Sequence, residues 1–315
     1  MKRIPVILDG DPGHDDAIAW VFAKASPKLD IRAVCSVNGN QTIEKTTYNA
    51  RRIMALLGID APFAKGAIRP MIADVMPAGN WHGESGLDGP AMPEPDQEIS
   101  PLSAPDLMAK VISESEDPVT IIATGPQTNV AELLVSHPEV KDKIGRISFM
   151  GGGIAFGNWI PGAEYNILCD PEAADIVFRS GIPLTMSGLD VTEKAIIKPE
   201  DIARIWAVGN QVSQITADWI EFFIQHPMDI GYAGAPVHDP CAVLTLIEPQ
   251  IFTMKDLHVD IELTGQYTRG ATVASMEDWQ IQNPNVTCAL TIDQSAYVDL
   301  LISYLHAYDG REVRI

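Results

Sequence analysis

The stretch that decides the fold is Asp9-Gly10-Asp11-Pro12-Gly13-His14-Asp15-Asp16, which follows the apolar run IPVIL at 4–8. That apolar run predicts a buried strand. Residues 15–25 (DDAIAWVFAKA) predict a helix with acids in its first turn, where the helix dipole favours negative charge. Open α/β sheets bind ligands at the carboxyl ends of their strands, so this strand–helix junction is the first candidate site.

Short β-branched runs alternate with helical patterns along the rest of the chain. Further strands are predicted at 31–37, 118–123, 146–150 and 183–187, and helices at 42–57, 104–115, 127–136, 171–180 and 199–206. The alternation predicts an α/β fold in which residues 1–315 form a single domain. Its Rossmann-like central sheet is mainly parallel and carries helices on both faces.

Two other regions break this rhythm. Strands near 258–263, 271–275 and 286–292 follow one another without helices, which predicts a small antiparallel addition before a final helix at 294–307. Residues 66–103 are rich in proline and glycine and contain NWHGESGLDGP. Long loops inside compact domains are usually functional or disordered, and Trp81 and His82 favour a functional loop here.

The overall charge excludes some partners. The formal net charge is -20, which repels phosphate backbones, so nucleic acid is not an expected partner. The four cysteines include no C-x-x-C pair and lie in apolar stretches, as buried thiols in a reducing compartment would. No apolar run reaches the length of a membrane span, and no signal-peptide pattern opens the chain. We therefore expect a cytoplasmic protein that does not bind membranes.

The four carboxylates of residues 9–16 predict a cation site. Close anions in a partly buried site repel each other until some are protonated or a cation neutralises them. All nearby candidate ligands are oxygens, which favours calcium or magnesium over zinc. The alternative is that the acids only cap the helix, which would suit Asp15 and Asp16 but would leave Asp9 and Asp11 unexplained.

Polar groups or tight glycine turns follow four other strands. They are Asn38 and Asn40 in NGNQT, Thr124 in TGPQTN, Met150 before Gly151–Gly153, and Asp190 after LTMSGL. Segment 158–166 (NWIPGAEYN) adds Asn158, Glu164 and Asn166. Amides and carboxylates suit a polyhydroxylated ligand, because each can bond a sugar hydroxyl.

Some of these residues also have a structural interpretation. Asp239, between His238 and Pro240, is well placed as a helix N-cap, and that role is about as plausible as a ligand role. Asn158 could be a turn residue. His82, in a glycine-rich loop, could be an exposed histidine without a function.

Taken together, the motifs resemble the inosine–uridine-preferring nucleoside hydrolase family over nearly the whole chain, with the closest likeness to its pyrimidine-preferring members. The matching landmarks are DGDPGHDDA at 9–17, GNQT at 39–42, HGESGLDGP at 82–90, ATGPQTN at 123–129, MGGG at 150–153, AEYN at 163–166, DPEAA at 170–174 and HDPC at 238–241. The resemblance implies the nucleoside hydrolase fold and hydrolysis of the N-glycosidic bond of ribonucleosides to free base and ribose. The first landmark is highly specific, and all of them occur in the family's order.

The resemblance also implies roles for individual residues. A calcium ion would be bound by Asp11, Asp16, Asp239 and the backbone carbonyl of Thr124, and Asp11 would be the general base that activates a calcium-bound water. The ribose would be held by Asp15, Asn40, Asn158, Glu164, Asn166 and the main chain near Met150. His82 and His238 would lie near the base, with His238 assisting the leaving group, and segment 225–232 would line the base pocket.

The same resemblance implies that the protein is intracellular, assembles as a homodimer or homotetramer and needs no other cofactor. These residues suit the chemistry, because breaking a ribosyl C–N bond builds positive charge on the sugar and negative charge on the base. Two rival functions remain at this point. Asp9 and Asp11 also have the D-x-D spacing of haloacid-dehalogenase-like phosphatases, and a nucleoside- or sugar-binding sensor would need the same polar cage without a catalyst.

Overall fold

The computed structural model describes residues 2–277 and 279–313, with Gly79 and Asn80 described by their backbone alone. Its strands are β1 (Ile4–Gly10), β2 (Leu29–Ser36), β3 (Phe63–Lys65), β4 (Val119–Ala123), β5 (Ile144–Met150), β6 (Leu184–Ser187), β7 (Ile196–Ile197), β8 (Ala235–Pro236), β9 (Phe252–Ile261), β10 (Thr272–Ser275) and β11 (Val286–Ile292). One sheet of nine strands has the order β10-β9-β11-β6-β5-β4-β1-β2-β3, and β7 pairs with β8 in a small second sheet.

The helices follow the strands in the order that an α/β fold requires. They are α1 (His14–Ala25), α2 (Ile43–Leu57), α3 (Gly79–His82), α4 (Ala104–Glu114), α5 (Thr128–Ser136), α6 (Tyr165–Cys169), α7 (Pro171–Phe178), α8 (Leu189–Thr192), α9 (Pro199–Trp206), α10 (Gln211–Phe223), α11 (Gln225–Asp229), α12 (Pro240–Ile247) and α13 (Gln294–Leu305). In the part of the chain that the structure describes, no helix has both the length and the apolar character needed to cross a membrane.

The large sheet is mainly parallel. Strands β3, β2, β1, β4, β5, β6 and β11 run parallel to one another, whereas β9 is antiparallel to both β11 and β10. The predicted antiparallel addition is therefore confirmed, and it extends the same sheet by way of the parallel pairing of β11 with β6. The single α/β architecture is confirmed as well.

Both faces of the sheet are covered by helices, as predicted. Successive side chains of a strand point to opposite faces, and the residues of β1 show this. Val6 and Leu8 pack into one hydrophobic cluster with α1, α2, α10, α12 and α13, while Ile7 packs into a second cluster with α4, α5 and α7. Because all three side chains are fully buried, β1 forms the centre of the molecule.

The chain order creates a crevice next to β1. The chain proceeds from β1 to β2 and β3 on one side, and then returns to place β4 on the other side of β1. Such a reversal of strand order is the point at which open α/β sheets bind ligands. The loops after β1 and β4 therefore meet at this point, and they carry Asp11 and Thr124.

Some elements differ from the sequence predictions. Strand β3 was not predicted, because three residues are too short to show periodicity. Helix α10 was also not predicted, although Asn210 caps it by accepting a hydrogen bond from the Ser213 N–H at 2.9 Å. Helix α2 begins one residue later than predicted, because Thr42 is its N-cap residue, and the Thr42 side chain accepts no capping hydrogen bond.

The predicted irregular segment 66–103 contains one short helix, α3, and is fastened to the body of the protein. The Met71 N–H donates to the Asp170 carboxylate at 2.9 Å, and the Ala78 N–H donates to the Asn40 carbonyl at 3.0 Å. The Tyr165 hydroxyl contacts the carbonyls of Met76 at 2.6 Å and Gly39 at 2.7 Å. These bonds hold the segment against the chain that follows β2 and β5.

The contribution of Arg311 to the C-terminal end of α2 can be measured by comparing two glycines with positive φ. Gly58 at the end of α2 has φ 64°, and a Cβ there would lie 2.4 Å from the Arg311 guanidinium, which donates to the carbonyls of Ala55 and Leu56. Gly181 has φ 76° with no atom of the described residues within 4 Å of such a Cβ. We predict that Gly181→Ala lowers the free energy of unfolding by about 1–2 kcal/mol.

Gly58→Ala should cost roughly 1 kcal/mol more than Gly181→Ala, because the guanidinium must also leave its two carbonyls. Urea unfolding of the two variants measures the difference. Equal destabilisation would show that Arg311 contributes nothing to this helix end.

Candidate active site

A cavity of about 300 Å³ opens at the crevice between β1 and β4. The predicted site residues that line it are Asp15, Asn40, His82, Thr124, Met150, Asn158, Glu164, Asn166, His238 and Asp239. The other two, Asp11 and Asp16, are fully buried and contact the lining residues Asn40 and Thr124. The fold therefore brings together side chains that lie up to 228 positions apart in the chain, from Asp11 to Asp239.

Three aspartates form a compact oxygen cluster in the cavity floor. Asp15, Asp16 and Asp239 each place a carboxylate oxygen within 4.8 Å of the others, and all three are buried. Asp15 and Asp16 lie in the first turn of α1, and Asp239 precedes α12. The sequence interpretation gave Asp15 to the ribose and Asp11 to the metal, whereas among the described residues this compact group contains Asp15 in place of Asp11.

The helix-cap alternatives account for only part of this cluster. Asp16 accepts a hydrogen bond from the Gly13 N–H at 2.9 Å, so it does cap α1. Asp239 stands at the N-cap position of α12, but its side chain accepts no capping bond there. One carboxylate oxygen of Asp15 is buried with no hydrogen-bond partner among the described residues. Capping therefore leaves two of the three carboxylates unexplained.

The negative charges of these aspartates repel one another, and the repulsion adds to the effect of burial in raising their pKa values. Burial, followed by the charge of Asp16, raises the pKa of Asp11 well above its ordinary value and that of Asp15 to about 7. Burial, followed by the charges of Asp15 and Asp16, raises the pKa of Asp239 in the same direction. No lysine or arginine is hydrogen-bonded to any of them in the described part of the chain. A cation is the group that would allow all of them to ionise together.

The donor set fits a divalent cation. Its ligands would be carboxylate oxygens, with the Thr124 carbonyl beside them, and hard cations prefer such ligands. The Thr124 carbonyl accepts a hydrogen bond from the Asn166 side-chain amide at 2.8 Å, which leaves its second lone pair available. The Thr124 hydroxyl donates to Asp16 at 2.6 Å and fixes that carboxylate. This cluster can therefore hold a metal ion.

Asp11 is held in one orientation next to the cluster. One of its carboxylate oxygens accepts a hydrogen bond from the Asn40 N–H at 2.6 Å, and the other is buried without a partner among the described residues. A Cβ on Gly39 would lie 1.9 Å from the first oxygen, and a Cβ on Gly125 would lie 2.5 Å from the second. Glycine at both positions is what gives the Asp11 carboxylate its space.

The predicted ribose residues form a preordered polar wall. Both oxygens of Glu164 accept backbone N–H groups, from Asn166 at 2.8 Å and from Gly152 at 2.8 Å. Burial nevertheless raises the pKa of Glu164 to about 7. The Asn166 amide donates to the Met150 carbonyl at 3.2 Å, and the Asn158 side-chain oxygen accepts the Tyr165 N–H at 3.0 Å. These bonds fix the side chains before any ligand arrives.

Two histidines stand on the other side of the cavity. His238 pairs through Nδ1 with the Thr192 hydroxyl at 2.8 Å, and burial lowers its pKa to about 4. His82 is buried rather than exposed and idle, and burial also lowers its pKa well below the ordinary value. Burial therefore favours the neutral form of both rings.

Several lining residues were not identified from the sequence. Phe223 belongs to the unpredicted helix α10, and Glu193 and Phe156 lie in no recognisable motif. His14 was read only as part of the acid motif, although it is fully buried and pairs with His82. Segment 225–232 does line the cavity, through Pro227, Ile230 and Tyr232, as the resemblance implied.

The cavity is of the size that a small ligand needs, and a carboxylate cluster that can hold a cation lies in its floor. Fixed amide groups form one of its walls. Together these features indicate an α/β enzyme that acts on a small polar molecule. Comparisons with known proteins identify the class more closely. Residues 6–299 match the family model "Inosine-uridine preferring nucleoside hydrolase". The pyrimidine-specific ribonucleoside hydrolase RihA of Escherichia coli O1:K1 is 51% identical over 308 residues, covering 97% of this chain and 99% of that protein.

Solved structures give the same result. The purine-preferring ribonucleoside hydrolase from Gardnerella vaginalis superposes with a TM-score of 0.88 at 29% identity, covering 96% of this chain and 98% of that one. A plant nucleoside hydrolase superposes with a TM-score of 0.88 at 28% identity, covering 97% and 100%.

The chain belongs to the inosine-uridine preferring nucleoside hydrolase family. It is a nucleoside N-ribosyl hydrolase, which cleaves ribonucleosides to base and ribose. The phosphatase and sensor interpretations are thereby excluded.

The cation site generates a prediction about stability. A divalent cation that binds only the folded protein should raise the free energy of unfolding by about 2.7 kcal/mol at 100 times its dissociation constant. Asp239→Asn should abolish most of this gain, because it removes one charged ligand, whereas Asp60→Asn at an exposed position should retain it. Thermal unfolding with and without added calcium chloride measures the effect. A gain that survives in Asp239→Asn would place the binding elsewhere.

Proposed function

We propose that this protein hydrolyses pyrimidine ribonucleosides, uridine and cytidine, and that it uses calcium and Asp11 to do so. The observation that carries the mechanism is the set of buried, unneutralised carboxylates on the floor of the cavity. The preference for pyrimidines is supported by the 51% identity to a protein named as pyrimidine-specific, against 29% to one named as purine-preferring.

Calcium is favoured over magnesium by the ligands. Calcium accepts six to eight oxygen ligands in flexible geometry, whereas magnesium retains several waters and demands an octahedron. We propose Asp11, Asp16, Asp239 and the Thr124 carbonyl as its ligands, and the compact group supports Asp15 as a further candidate. When bound, the ion supplies a Lewis acid that lowers the pKa of water and orients ribose hydroxyls.

Asp11 is proposed as the general base. Its carboxylate is buried beside the proposed cation site, and in its ionised form it can accept a proton from water. The attacking water loses that proton to Asp11 as its oxygen bonds to C1′ of the ribose. The C1′–N bond breaks at the same time, and its electron pair leaves with the base. The hydrogen bond from the Asn40 N–H keeps the carboxylate in place for this step.

The ribose contacts are proposed to be Asp15, Asn40, Asn158, Glu164, Asn166 and the main chain at Met150. Their support is the preordered wall of hydrogen bonds, since groups fixed in advance reduce the entropic part of the barrier. Nearby carboxylates also stabilise the positive charge that develops on the sugar.

His238 is proposed to assist the leaving base, with His82 as a second neighbour of the base. A neutral His238 can donate a hydrogen bond from an N–H group. The negative charge that grows on the base raises the proton affinity of the base itself, so this hydrogen bond strengthens as the bond to the sugar breaks. The buried Nδ1–Thr192 pair supports this role, because it orients the ring.

We also propose that the protein acts as a homodimer or homotetramer in the cytoplasm. The support for association is a set of exposed apolar side chains on and near the edge strand β10: Val273, Tyr267 and Trp279. The four buried, unpaired cysteines agree with a reducing compartment. The net charge of -20 supports the absence of a nucleic-acid partner.

The substrate proposal is tested with a panel of uridine, cytidine, inosine and guanosine. We expect kcat/KM to be about tenfold or more higher for the pyrimidine nucleosides, as measured by release of free ribose. A calcium-selective chelator should abolish activity, and added calcium should restore it better than magnesium does. Inosine as the best substrate, or full activity in the chelator, would contradict the proposal.

The role of Asp11 is tested with Asp11→Asn. We predict that turnover of uridine falls by about 10²–10⁴-fold, because an amide cannot accept the water's proton. Asp9→Asn is the matched control, since Asp9 is equally buried but bonds the Asn129 side chain at 2.7 Å, whereas Asp11 bonds the cavity-lining Asn40. It should keep turnover within about tenfold. Similar losses in the two variants would mean that any buried carboxylate of the motif matters equally.

A further inference from the structure

His14 and His82 form a buried pair at the side of the cavity. Their Nδ1 atoms lie 3.1 Å apart, and the Nε2 of His14 lies 2.8 Å from the backbone carbonyl of Asp88. His82 stacks on Phe223 with the two rings 7° from parallel, and His14 stacks on Phe222. Both imidazoles are thus fixed in the plane that these bonds require.

The hydrogen-bond partners determine which nitrogens carry protons. A carbonyl can only accept, so the Nε2 of His14 must donate to Asp88. In a neutral His14 the Nδ1 is then a lone pair, and the Nδ1 of His82, 3.1 Å away, must carry the proton between them. A neutral His82 with a proton on Nδ1 has a bare Nε2.

The unprotonated Nε2 of His82 is the ring nitrogen that the His14–His82 hydrogen bond leaves unused. Within residues 2–277 and 279–313, the Nε2 of His82 has no hydrogen-bond partner, and its ring lines the cavity. The Nδ1–Cε1 side of the ring lies against the chain at Gly13, where a Cβ would lie 2.8 Å from both atoms. Because Nδ1 is paired with His14, Nε2 is the ring nitrogen that remains for a ligand in the cavity.

We propose that the Asp88 carbonyl and His14 lock His82 into the Nδ1–H tautomer, so that His82 offers the ligand a hydrogen-bond acceptor. This inference rests on the proposed function only in placing a nucleobase on that side of the cavity. The group that it selects is an N–H on the edge of the base, such as the ring N–H of uracil or the amino group of cytosine. His14 acts through His82 and is a positioning residue.

The turn that carries Asp88 is built to hold this carbonyl. The Asp88 carboxylate accepts the N–H groups of Glu84 at 2.7 Å and Ser85 at 3.1 Å, and the Asp88 N–H donates to the His82 carbonyl at 3.2 Å. The HGESGLD segment therefore carries both ends of the relay, His82 itself and the carbonyl that sets its tautomer through His14.

A second hydrogen-bond donor lies near the Nδ1 of His82, so the effect of His14 on the His82 tautomer can be tested. The backbone N–H of residue 14 points to the Nδ1 of His82 at 3.4 Å. If the side chain at 14 could no longer accept, that N–H would hydrogen-bond a bare Nδ1, and the His82 proton would move to Nε2. His14→Phe retains an aromatic ring for stacking but removes the acceptor. His14→Asn places an amide oxygen near the former Nδ1 and retains the acceptor.

The test is nitrogen-15 NMR of protein labelled at histidine, without a nucleoside, with the His82 signals identified by their loss in His82→Gln. We expect His82 in the wild type and in His14→Asn to show a protonated Nδ1 and a bare Nε2, and His14→Phe to show the reverse. An Nε2–H or doubly protonated His82 in the wild type would overturn the proposal, whether or not the variants fold.

Kinetics with uridine give the functional half of the test. The kcat/KM of His14→Phe should fall about tenfold, because a donor would then face the N–H of the base, and His14→Asn should recover most of the loss. Equal losses in the two variants would overturn the link from tautomer to substrate. Since the NMR result needs no substrate, failure of the proposed function would leave it standing.

Discussion

Four aspartates are buried together at one end of the sheet, and their carboxylates repel one another. The loops and glycines around them are arranged to accommodate this repulsion. Asp11, Asp15, Asp16 and Asp239 are all buried, and burial disfavours the charged form of each. Such an arrangement persists in a folded protein only if the surrounding fold compensates for it. Here the compensation consists of backbone N–H groups, the Thr124 hydroxyl and room for a cation among oxygen ligands.

The sheet topology places these mutually repelling carboxylates where a ligand can reach them. Because β4 returns to the free side of β1, the loops after the two strands open a crevice, and the first turn of α1 brings Asp15 and Asp16 to it. The Asp11 carboxylate fits there only because positions 39 and 125 lack side chains. The catalytic end of the molecule is therefore specified by its glycines as much as by its acids.

Much of this could be predicted from the sequence, for identifiable reasons. The apolar run before Asp9 and the density of acids after it indicate a buried strand that ends in a site. The alternation of strands and helices indicates which polar residues reach the same edge, so Asn40, Thr124 and Met150 could be grouped without a structure. Motif order then identified the family, which the comparisons confirm.

The remaining features depend on tertiary packing that no local pattern records. Strand β3 is too short to show periodicity, and Glu193 lines the cavity from the C-cap position of the four-residue helix α8. The pairing of His14 with His82 spans 68 positions of sequence. Asp15 belongs to the same carboxylate cluster as Asp16 and Asp239. This arrangement depends on the geometry of the first turn of α1 and on the position of α12, and neither can be read from the sequence.

The proposed mechanism depends on a divalent cation among these aspartates. Anomalous X-ray diffraction from crystals grown with calcium would locate such an ion without reference to activity. We expect a single strong peak bounded by Asp16, Asp239 and the Thr124 carbonyl, at about 2.3–2.6 Å from its oxygen ligands. A map with no peak there, and with the carboxylates bridged by shared protons instead, would contradict the proposed mechanism.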